Sequence, residues 1–383
     1  MRRDASPSGR ILRALSSLTL TIVGLALLMI LVAVCTLLQV SMGTHRAVEA
    51  VIRTGLVWWT SPGGTRIPVF PGGGLVGGVL LVNLVFAQFL RLELSWRKAG
   101  MWLAHLGLAL LFVGEFATAL MQVESQMPVE IGQTRDYSED ARRVELDAVD
   151  ATSPDGDTVT AIPDSFLKPG AEIAHPSLPF TLAVREFYRN SSFRMRRPDD
   201  PPSPATAGVG PRIFVREAPE VGSDDEQNVP AVLVDARRGG EDLGSFWLSP
   251  GMGAPQGLEL DGKTWRFWLR PRRYYLPFSL TLKEFHHDVY PGTDIPKNFS
   301  SLVRLDDPAA HEDRDARIYM NHPLRYAGLT FYQASFGRGD RLSVFQVVRN
   351  PGWRIPYLAC ALVALGLLWH FALKLSASLK GVR

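Results

Sequence analysis

Cysteine is scarce in this sequence, which contains only Cys35 and Cys360 among its 383 residues. Two cysteines cannot build a disulfide framework, and the chain has no C-x-x-C pair for a dithiol or a zinc site. It also lacks a C-x-x-C-H motif, so it carries no covalent c-type haem of its own. These absences exclude a disulfide-stapled secreted module and argue against thiol redox chemistry.

Charged residues are also few, at 21% of the chain, and they are unevenly distributed. Four stretches lack Asp, Glu, Lys and Arg almost entirely, whereas residues 124–354 hold most of the acidic residues. The formal net charge of +3 is too small to predict a nucleic-acid partner. No Gly-rich phosphate loop is present, because the glycines at 72–74 and 77–78 match neither nucleotide-binding fingerprint. The distribution predicts a membrane part and a water-soluble part.

The charge-poor stretches are long enough to cross a bilayer, whose core of about 30 Å needs about 20 residues of helix. We predict transmembrane helices at residues 16–40, 74–90, 99–123 and 355–375. The first is too long for a signal-peptide core and no small-residue cleavage site follows it, so it is interpreted as a retained anchor. The chain is therefore predicted to be an integral membrane protein with four transmembrane α-helices.

Basic residues in the short segments predict the orientation, because Lys and Arg accumulate on the cytoplasmic side of a membrane. They are frequent in the tail 1–15, in the loop 91–98 and around the tail 376–383. Both termini are predicted to be cytoplasmic, and the long segment 124–354 is predicted to lie outside. In the first outer loop, residues 41–73, apolar positions at helical spacing predict either an interfacial helix or a helix packed on the polar domain.

Hydrophobic periodicity in residues 124–354 changes from helical to alternating, which is typical of strands. Asp261-Gly262 and Gly239-Gly240 are predicted hairpin turns, since these residues tolerate the positive φ of tight turns. Proline, glycine and acidic residues predict long surface loops at 196–211 and 218–230. We therefore expect a large, mainly-β domain, sandwich or barrel-like, inserted between the third and fourth helices.

Ionisable residues inside the spans are the candidate functional residues, because a polar group in hydrocarbon is costly and is often kept for a ligand, a proton or a partner. His105 and His370 are predicted at comparable depth in the third and fourth spans. Each imidazole could be a haem ligand, or it could hydrogen-bond a helix backbone or extend toward the interface. The spacing of these residues does not decide between haem ligation and a structural role. Glu115 is expected to hydrogen-bond a neighbouring span, with Asn83 as the candidate partner.

Outside the spans, His286 and His287 are adjacent on a predicted strand and point to opposite faces, which argues against one shared metal ion. The two cysteines are interpreted as small packing residues, with a contact or disulfide between the spans left open. No Ser/His/Asp or Cys/His constellation is evident, so nothing predicts a soluble hydrolase.

Several segments carry a family resemblance. They are residues 15–21 (LSSLTLT), residues 83–85 (NLV), residues 105–107 (HLG), and above all residues 321–337 (NHPLRYAGLTFYQASFG). Together they resemble the ResB (CcsB) family of cytochrome c biogenesis proteins. The resemblance covers the membrane plan from end to end and is most specific in the last motif, while little in residues 129–234 is familiar.

The resemblance implies a role in System II cytochrome c maturation, in which this subunit and a ResC (CcsA)-type membrane partner move haem outward and present it to apocytochrome c. It implies that His105 is an axial ligand to a haem b held in the membrane, with the opposite ligand from the partner. His370 is a second candidate whose segment matches the family only loosely. No catalytic residue is assigned, because any synthase activity would belong to the complex.

A scaffold is the alternative function. In that case the outer domain would hold an apocytochrome or a thioredoxin-like thiol reductant, and haem would touch only the partner. The motif at 321–337 is interpreted as structural, since Pro323 and Gly328 mark a turn and Phe331-Tyr332-Gln333 is typical of a strand entering the core. His322 is retained as a minor ligand candidate.

Overall fold

The computed structural model describes residues 7–61, 63–153, 156–221, 227–293 and 296–381. The chain divides into two units. The first, here called the helical unit, consists chiefly of Met1–Val123 and Arg349–Arg383, and the second, the strand unit, consists of Glu124–Val221 and Asp225–Val348. Parts of the predicted segments lie outside the described residues, namely residues 1–6 and 382–383 of the tails, 62 of the first outer loop, 222–226 of the second long loop, and 154–155 and 294–295 of the predicted β-domain.

In the described residues the helical unit contains the following α-helices: α1 Pro7–Leu15, α2 Leu18–Met42, α3 Thr44–Ala47, α4 Gly73–Arg91, α5 Ala99–Met121 and α6 Ile355–Gly381. Four of them, α2, α4, α5 and α6, are long and apolar enough to cross a membrane, with mean hydropathies of 2.8, 1.9, 1.8 and 1.9. The four predicted apolar helices are confirmed. The last continues past its predicted end at 375, because no glycine or proline follows that residue before Gly381.

The segment after α2 differs from the predicted single helix. It is helical only through Ile52, with α3 followed by a π-helical turn at Val48–Ile52. The strands β1 Leu56–Thr60 and β2 Arg66–Pro71 then form an antiparallel hairpin. Valine, tryptophan and threonine favour a strand, and this preference prevails over the helical spacing of the apolar residues. The interfacial-helix prediction is therefore wrong for residues 56–59.

Helices α5 and α6 pack closely through glycines spaced seven residues apart on α5. A Cβ at Gly107 would lie 2.7 Å from the backbone oxygen of Ala359, and one at Gly100 would lie 2.5 Å from the backbone oxygen of Gly366. The two helices run antiparallel, since later residues of α5 meet earlier residues of α6. Small residues let the two backbones approach this closely. In a membrane, where there is no hydrophobic driving force between helices, the resulting van der Waals contacts hold helices together.

The remaining strands are β3 Val123–Glu130, β4 Thr134–Asp150, β5 Thr158–Pro163, β6 Glu172–Ile173, β7 Thr181–Tyr188, β8 Ser191–Met195, β9 Ile213–Glu217, β10 Ala231–Arg238, β11 Glu241–Leu248, β12 Gln256–Leu260, β13 Lys263–Val289, β14 Pro296–Asp307, β15 Glu312–Tyr319, β16 Leu324–Tyr326, β17 Leu329–Gly337 and β18 Leu342–Arg349. Short 3₁₀ turns lie at Trp96–Lys98, Asp164–Phe166, Gly210–Arg212 and Pro250–Met252. The large mainly-β domain is thus confirmed.

One ten-stranded sheet dominates the strand unit, in the order β15-β14-β13-β4-β3-β18-β17-β16, with β12 beside β13 and β5 beside β4. A four-stranded sheet, β11-β10-β7-β6, and the β8-β9 hairpin complete it. Strand β15 also contacts β16 and β17, which gives the large sheet a barrel-like curl. Both predicted tight turns are confirmed, because Leu260 pairs with Lys263 across one and Arg238 pairs with Glu241 across the other.

The long strand β13 contributes to two separate hydrophobic cores. Phe267 and Leu269 belong to the core beneath the four-stranded sheet. Phe278, Leu280 and Leu282 belong to the core enclosed by β14 to β18. Register shifts between these two stretches, including one between Tyr275 and Leu280, let one strand serve both cores.

Candidate functional site

One ring nitrogen of His105 is hydrogen-bonded to the helix backbone, and the other is available to a ligand. It lies six residues into α5 and is half-buried. Its Nδ1 is 2.7 Å from the backbone oxygen of Met101, one turn earlier. Because a carbonyl oxygen only accepts, Nδ1 carries the proton and donates it, which leaves the lone pair on Nε2. This tautomer is the one required for a ligand that binds a metal through Nε2.

The direction of His105 can be measured from the glycines of α5 that contact α6. At 100° per residue, His105 lies about 140° from Gly100 and 160° from Gly107, so it points away from α6. Phe112 and Phe116 follow it by seven and eleven residues and share its face. These two rings face α4, since they are the nearest atoms to a Cβ placed at Gly77. His105 therefore lies on the α4 side of α5.

His370 occupies a different environment. Its backbone nitrogen and Cβ are 2.7 Å and 3.0 Å from a Cβ placed at Gly100, so it belongs to the surface of α6 that packs on α5. Its ring makes an edge contact with Phe371, with a centroid separation of 5.8 Å. The level of Gly100 is about 8 Å along the axis from His105. The structure therefore separates the two histidines by about 8 Å along the helices and does not bring them together on one face.

A cavity of about 480 Å³ opens beside the start of α5. It is lined by residues 89–94 and by Trp102, and Arg91 and Glu93 are the charged residues among them. Its volume falls in the range of small-molecule pockets, about 300 to 1,000 Å³. His105 does not line this cavity, although Trp102 precedes it by one helical turn.

The predicted bond between Glu115 and Asn83 is wrong. Asn83 is buried and fully engaged elsewhere: its Oδ1 accepts from the Thr21 hydroxyl at 2.6 Å, and its Nδ2 donates to the backbone oxygens of Leu15 and Ser17 at 2.6 Å and 3.1 Å. The carbonyl of Leu15 ends α1 and has no intrahelical partner, so it attracts the amide. Within the described part of the chain, the exposed Glu115 has no hydrogen-bond or ion-pair partner.

The segment 321–337 forms turns and a core strand, as the sequence predicts. Asn321 and Gly328 have positive φ, at 63° and 76°, in the turns that flank β16. Phe331 on β17 is fully buried. Gln333 accepts at Oε1 from the Ser301 hydroxyl at 2.7 Å and donates from Nε2 to the Ser343 hydroxyl at 2.9 Å, which joins three strands inside the barrel-like core. This motif therefore stabilises the fold.

The other histidine candidates point in separate directions. His322 is exposed and stacks on Tyr319 at a centroid separation of 4.2 Å. His286 contacts Glu284, whereas His287 contacts Asp340 and stacks on Phe299. Among the described residues, no group of three or more His, Cys, Asp or Glu side chains could hold a metal ion. Both cysteines are free thiols, with Cys35 buried and Cys360 exposed.

Sequence analysis missed a buried charge cluster between β4 and β13. Arg270 donates from Nη1 to Glu145 at 2.7 Å and from Nε to Asp147. All three side chains are less than 10% exposed. Burial raises the pKa of Asp147 to about 6, although the neighbouring Arg270 opposes the shift. Glu145 and Asp147 alternate with apolar residues, a pattern typical of a strand with one solvated face, so the pattern gave no signal of their burial.

The raised pKa of Asp147 predicts how stability depends on pH. A carboxyl whose pKa rises from 3.8 to about 6 on folding binds its proton more tightly in the native state, so its contribution is lost as pH rises from 4 to above 6. Asp147→Asn should therefore stabilise the protein at pH 7, by up to about 3 kcal/mol, and little at pH 4. Urea unfolding of the full chain in detergent at both pH values measures this.

Asp150→Asn is the matched control, because the Lys263 ammonium beside it lowers the pKa of Asp150. Its effect on the free energy of unfolding should therefore have the opposite sign. Asp150→Asn should destabilise the protein at pH 7 and destabilise it less at pH 3. Equal effects of the two substitutions at every pH would contradict the assignment of Asp147.

Comparison with known proteins gives one family match, which lies in the strand unit, and two similar relatives. The family described as ResB-like matches residues 267–344, which run from β13 into β18 and include the motif at 321–337. A stretch of 100 residues is 38% identical to protein NrfI of Wolinella succinogenes and covers 26% of this chain and 11% of that protein. A stretch of 83 residues is 35% identical to the cytochrome c biogenesis protein CcsB of a Picosynechococcus species and covers 21% of this chain and 18% of that protein. The chain thus spans less than a fifth of the length of either relative.

Proposed function

Because the chain belongs to the ResB-like family, we propose that it is a membrane subunit for cytochrome c biogenesis that handles haem together with a ResC (CcsA)-type partner. The pair would export haem b and support its covalent attachment to apocytochrome c. The name of the CcsB relative supports the biogenesis role. The observation that carries the haem-handling role is the contact between Nδ1 of His105 and the backbone oxygen of Met101, which leaves Nε2 available to a metal.

The surroundings of His105 suit an iron ligand. The hydrogen bond from Nδ1 to Met101 fixes the ring and increases the electron density at Nε2, as such bonds do for metal-bound histidines. The low dielectric of a membrane would shield the iron from water, and an axial imidazole would hold it. Since His370 packs against α5 on another face, it is poorly placed as the opposite ligand. This supports a ligand supplied by the partner.

The proposed orientation puts haem attachment on the side of the strand unit. The basic segments around 1–15, 91–98 and 376–383 support cytoplasmic termini. Residues 124–354 would then lie outside the cytoplasmic membrane, where the thiols of apocytochrome c and a thioredoxin-like reductant would meet haem. The strand unit would bind or align those soluble partners.

A scaffold function is the second candidate, and the position of the family match favours it. Residues 267–344 lie in the strand unit and include none of the four apolar helices. In this alternative the strand unit binds apocytochrome c, while the partner alone binds haem. The role of His105 separates the two functions.

Co-expression tests the biogenesis role. The chain, a ResC-type partner and a c-type reporter would be produced in a bacterial host without other maturation routes. We expect covalent haem on the reporter, detected by haem staining after denaturing electrophoresis, only when both membrane proteins are present. A reporter whose haem-binding cysteines are replaced by serine is the control. Absence of haem staining, with both membrane proteins present at normal levels, would refute the biogenesis proposal.

A further inference from the structure

Three polar residues of the membrane helices, Asn83, Gln88 and Glu115, have different surroundings. Asn83 and Gln88 are buried, and both bond to other segments of the helical unit. Glu115 differs from them, because it is exposed and has no partner in the described chain. A carboxyl group on an unpartnered surface of a membrane helix is costly, and such residues almost always meet a polar group or a partner.

Glu115 lies on a defined stripe of α5. Leu108 and Ala119 are exposed and lie within about 40° of it around the helix, and we call these three residues the Glu115 stripe. The glycines that pack on α6 lie about 60° to 100° to one side of Glu115. Phe112 and Phe116, which face α4, lie about 60° to 100° to the other side. The stripe therefore runs between the two surfaces of α5 that the chain itself uses.

We propose that the Glu115 stripe docks a transmembrane helix of the ResC-type partner, which supplies a basic or amide side chain to the Glu115 carboxyl. This proposal rests on the proposed function, since it assumes that partner. Ala119 is small and exposed and allows a helix to approach closely, as small residues do at membrane interfaces. His105 lies about 80° from Glu115, so the docked helix would run beside the available Nε2.

Charge favours a different protein over a second copy of this chain. In a parallel two-fold dimer through this stripe, Glu115 would face Glu115, because such an interface pairs the same surface with itself. Two carboxyls at one depth in hydrocarbon repel when charged. A donor on another protein satisfies the carboxyl without this cost.

Photo-crosslinking in membranes that contain the partner and the reporter tests the docking face. The photoreactive residue p-benzoylphenylalanine would replace Leu108, which is 42% exposed and lies on the stripe, or Val113, which is 47% exposed and lies about 160° from Glu115. We expect a crosslink to the partner from position 108 and at least about fivefold less from position 113. In the position-108 protein, Glu115→Leu should remove most of the crosslink, and Glu115→Gln, which still hydrogen-bonds, should retain it.

Each other outcome contradicts the docking proposal. A crosslink to a second copy of the chain would show a homodimer, and equal yields at both positions would show no preferred face. If the photoreactive residue gives lipid adducts alone, both at position 108 and when it replaces Ala119, lipid covers the stripe. Reporter maturation is measured in the same cells. Maturation without a crosslink refutes the docking face alone, whereas failure of the unmodified pair to mature the reporter refutes the proposed function.

Discussion

Replacing His105 with alanine is expected to lower the yield of haem-attached reporter about tenfold or more, with an unchanged amount of the chain in the membrane. The substitution removes the Nε2 of His105, whose ring is oriented by a backbone hydrogen bond from Nδ1. Because the ring is only half-buried, the loss of packing is small. Haem staining of the reporter, normalised to membrane levels of both proteins, measures the effect.

His370→Ala and Leu106→Ala are the matched controls for this prediction. His370→Ala removes an imidazole from the other candidate helix, and Leu106→Ala truncates an exposed neighbour of His105. Both variants should keep most of the maturation activity. If His105→Ala matures the reporter as well as these two controls do, the scaffold function is favoured and haem ligation by this chain is wrong.

Arg270→Met is expected to destabilise the strand unit by about 3 to 5 kcal/mol, because it leaves two buried carboxyls without their cation. A shift of this size takes a large share of the stability of an ordinary domain. Urea unfolding of the full chain in detergent, followed by tryptophan fluorescence, measures it. Trp265 and Trp247, both buried in the strand unit, make the signal sensitive to unfolding there.

Two further variants separate lost packing from unpaired charge. Glu145→Gln and Asp147→Asn, added to Arg270→Met, should recover much of the stability, since the cluster is then neutral. Arg304→Met removes the partner of Asp313 in an exposed ion pair and should change the stability little. If Arg270→Met unfolds at the same urea concentration as Arg304→Met, the cluster does not stabilise the fold as proposed.

The sequence predicts the parts of this fold that depend on local chemistry. The four apolar helices are predicted because each charge-poor stretch is long enough to cross a bilayer core. The hairpin turn at Asp261-Gly262 is predicted because both residues tolerate positive φ, which is 52° and 74° here. The buried strand at Phe331 follows from its alternation with polar neighbours. These features need no knowledge of distant contacts.

Other features depend on contacts that no local pattern contains. Asn83 bonds to residues more than 60 positions away, so its partner could not be inferred from its own span. The Arg270 cluster joins positions more than 120 residues apart. His105 was predicted as a candidate, but the Met101 contact that orients it requires the side-chain rotamer, and the face of α5 that remains uncovered requires the packing of α4 and α6.

The reduced absorption spectrum of the purified complex is the most direct test of haem ligation by His105. The chain and a ResC-type protein would be co-expressed and purified together in detergent, with wild type and His105→Ala compared at equal protein and equal recovery of the second protein. If His105 binds the iron through Nε2, the wild type shows sharp low-spin haem bands that are lost or altered in the variant. Identical bands in both complexes would place the iron on the partner alone and contradict the account.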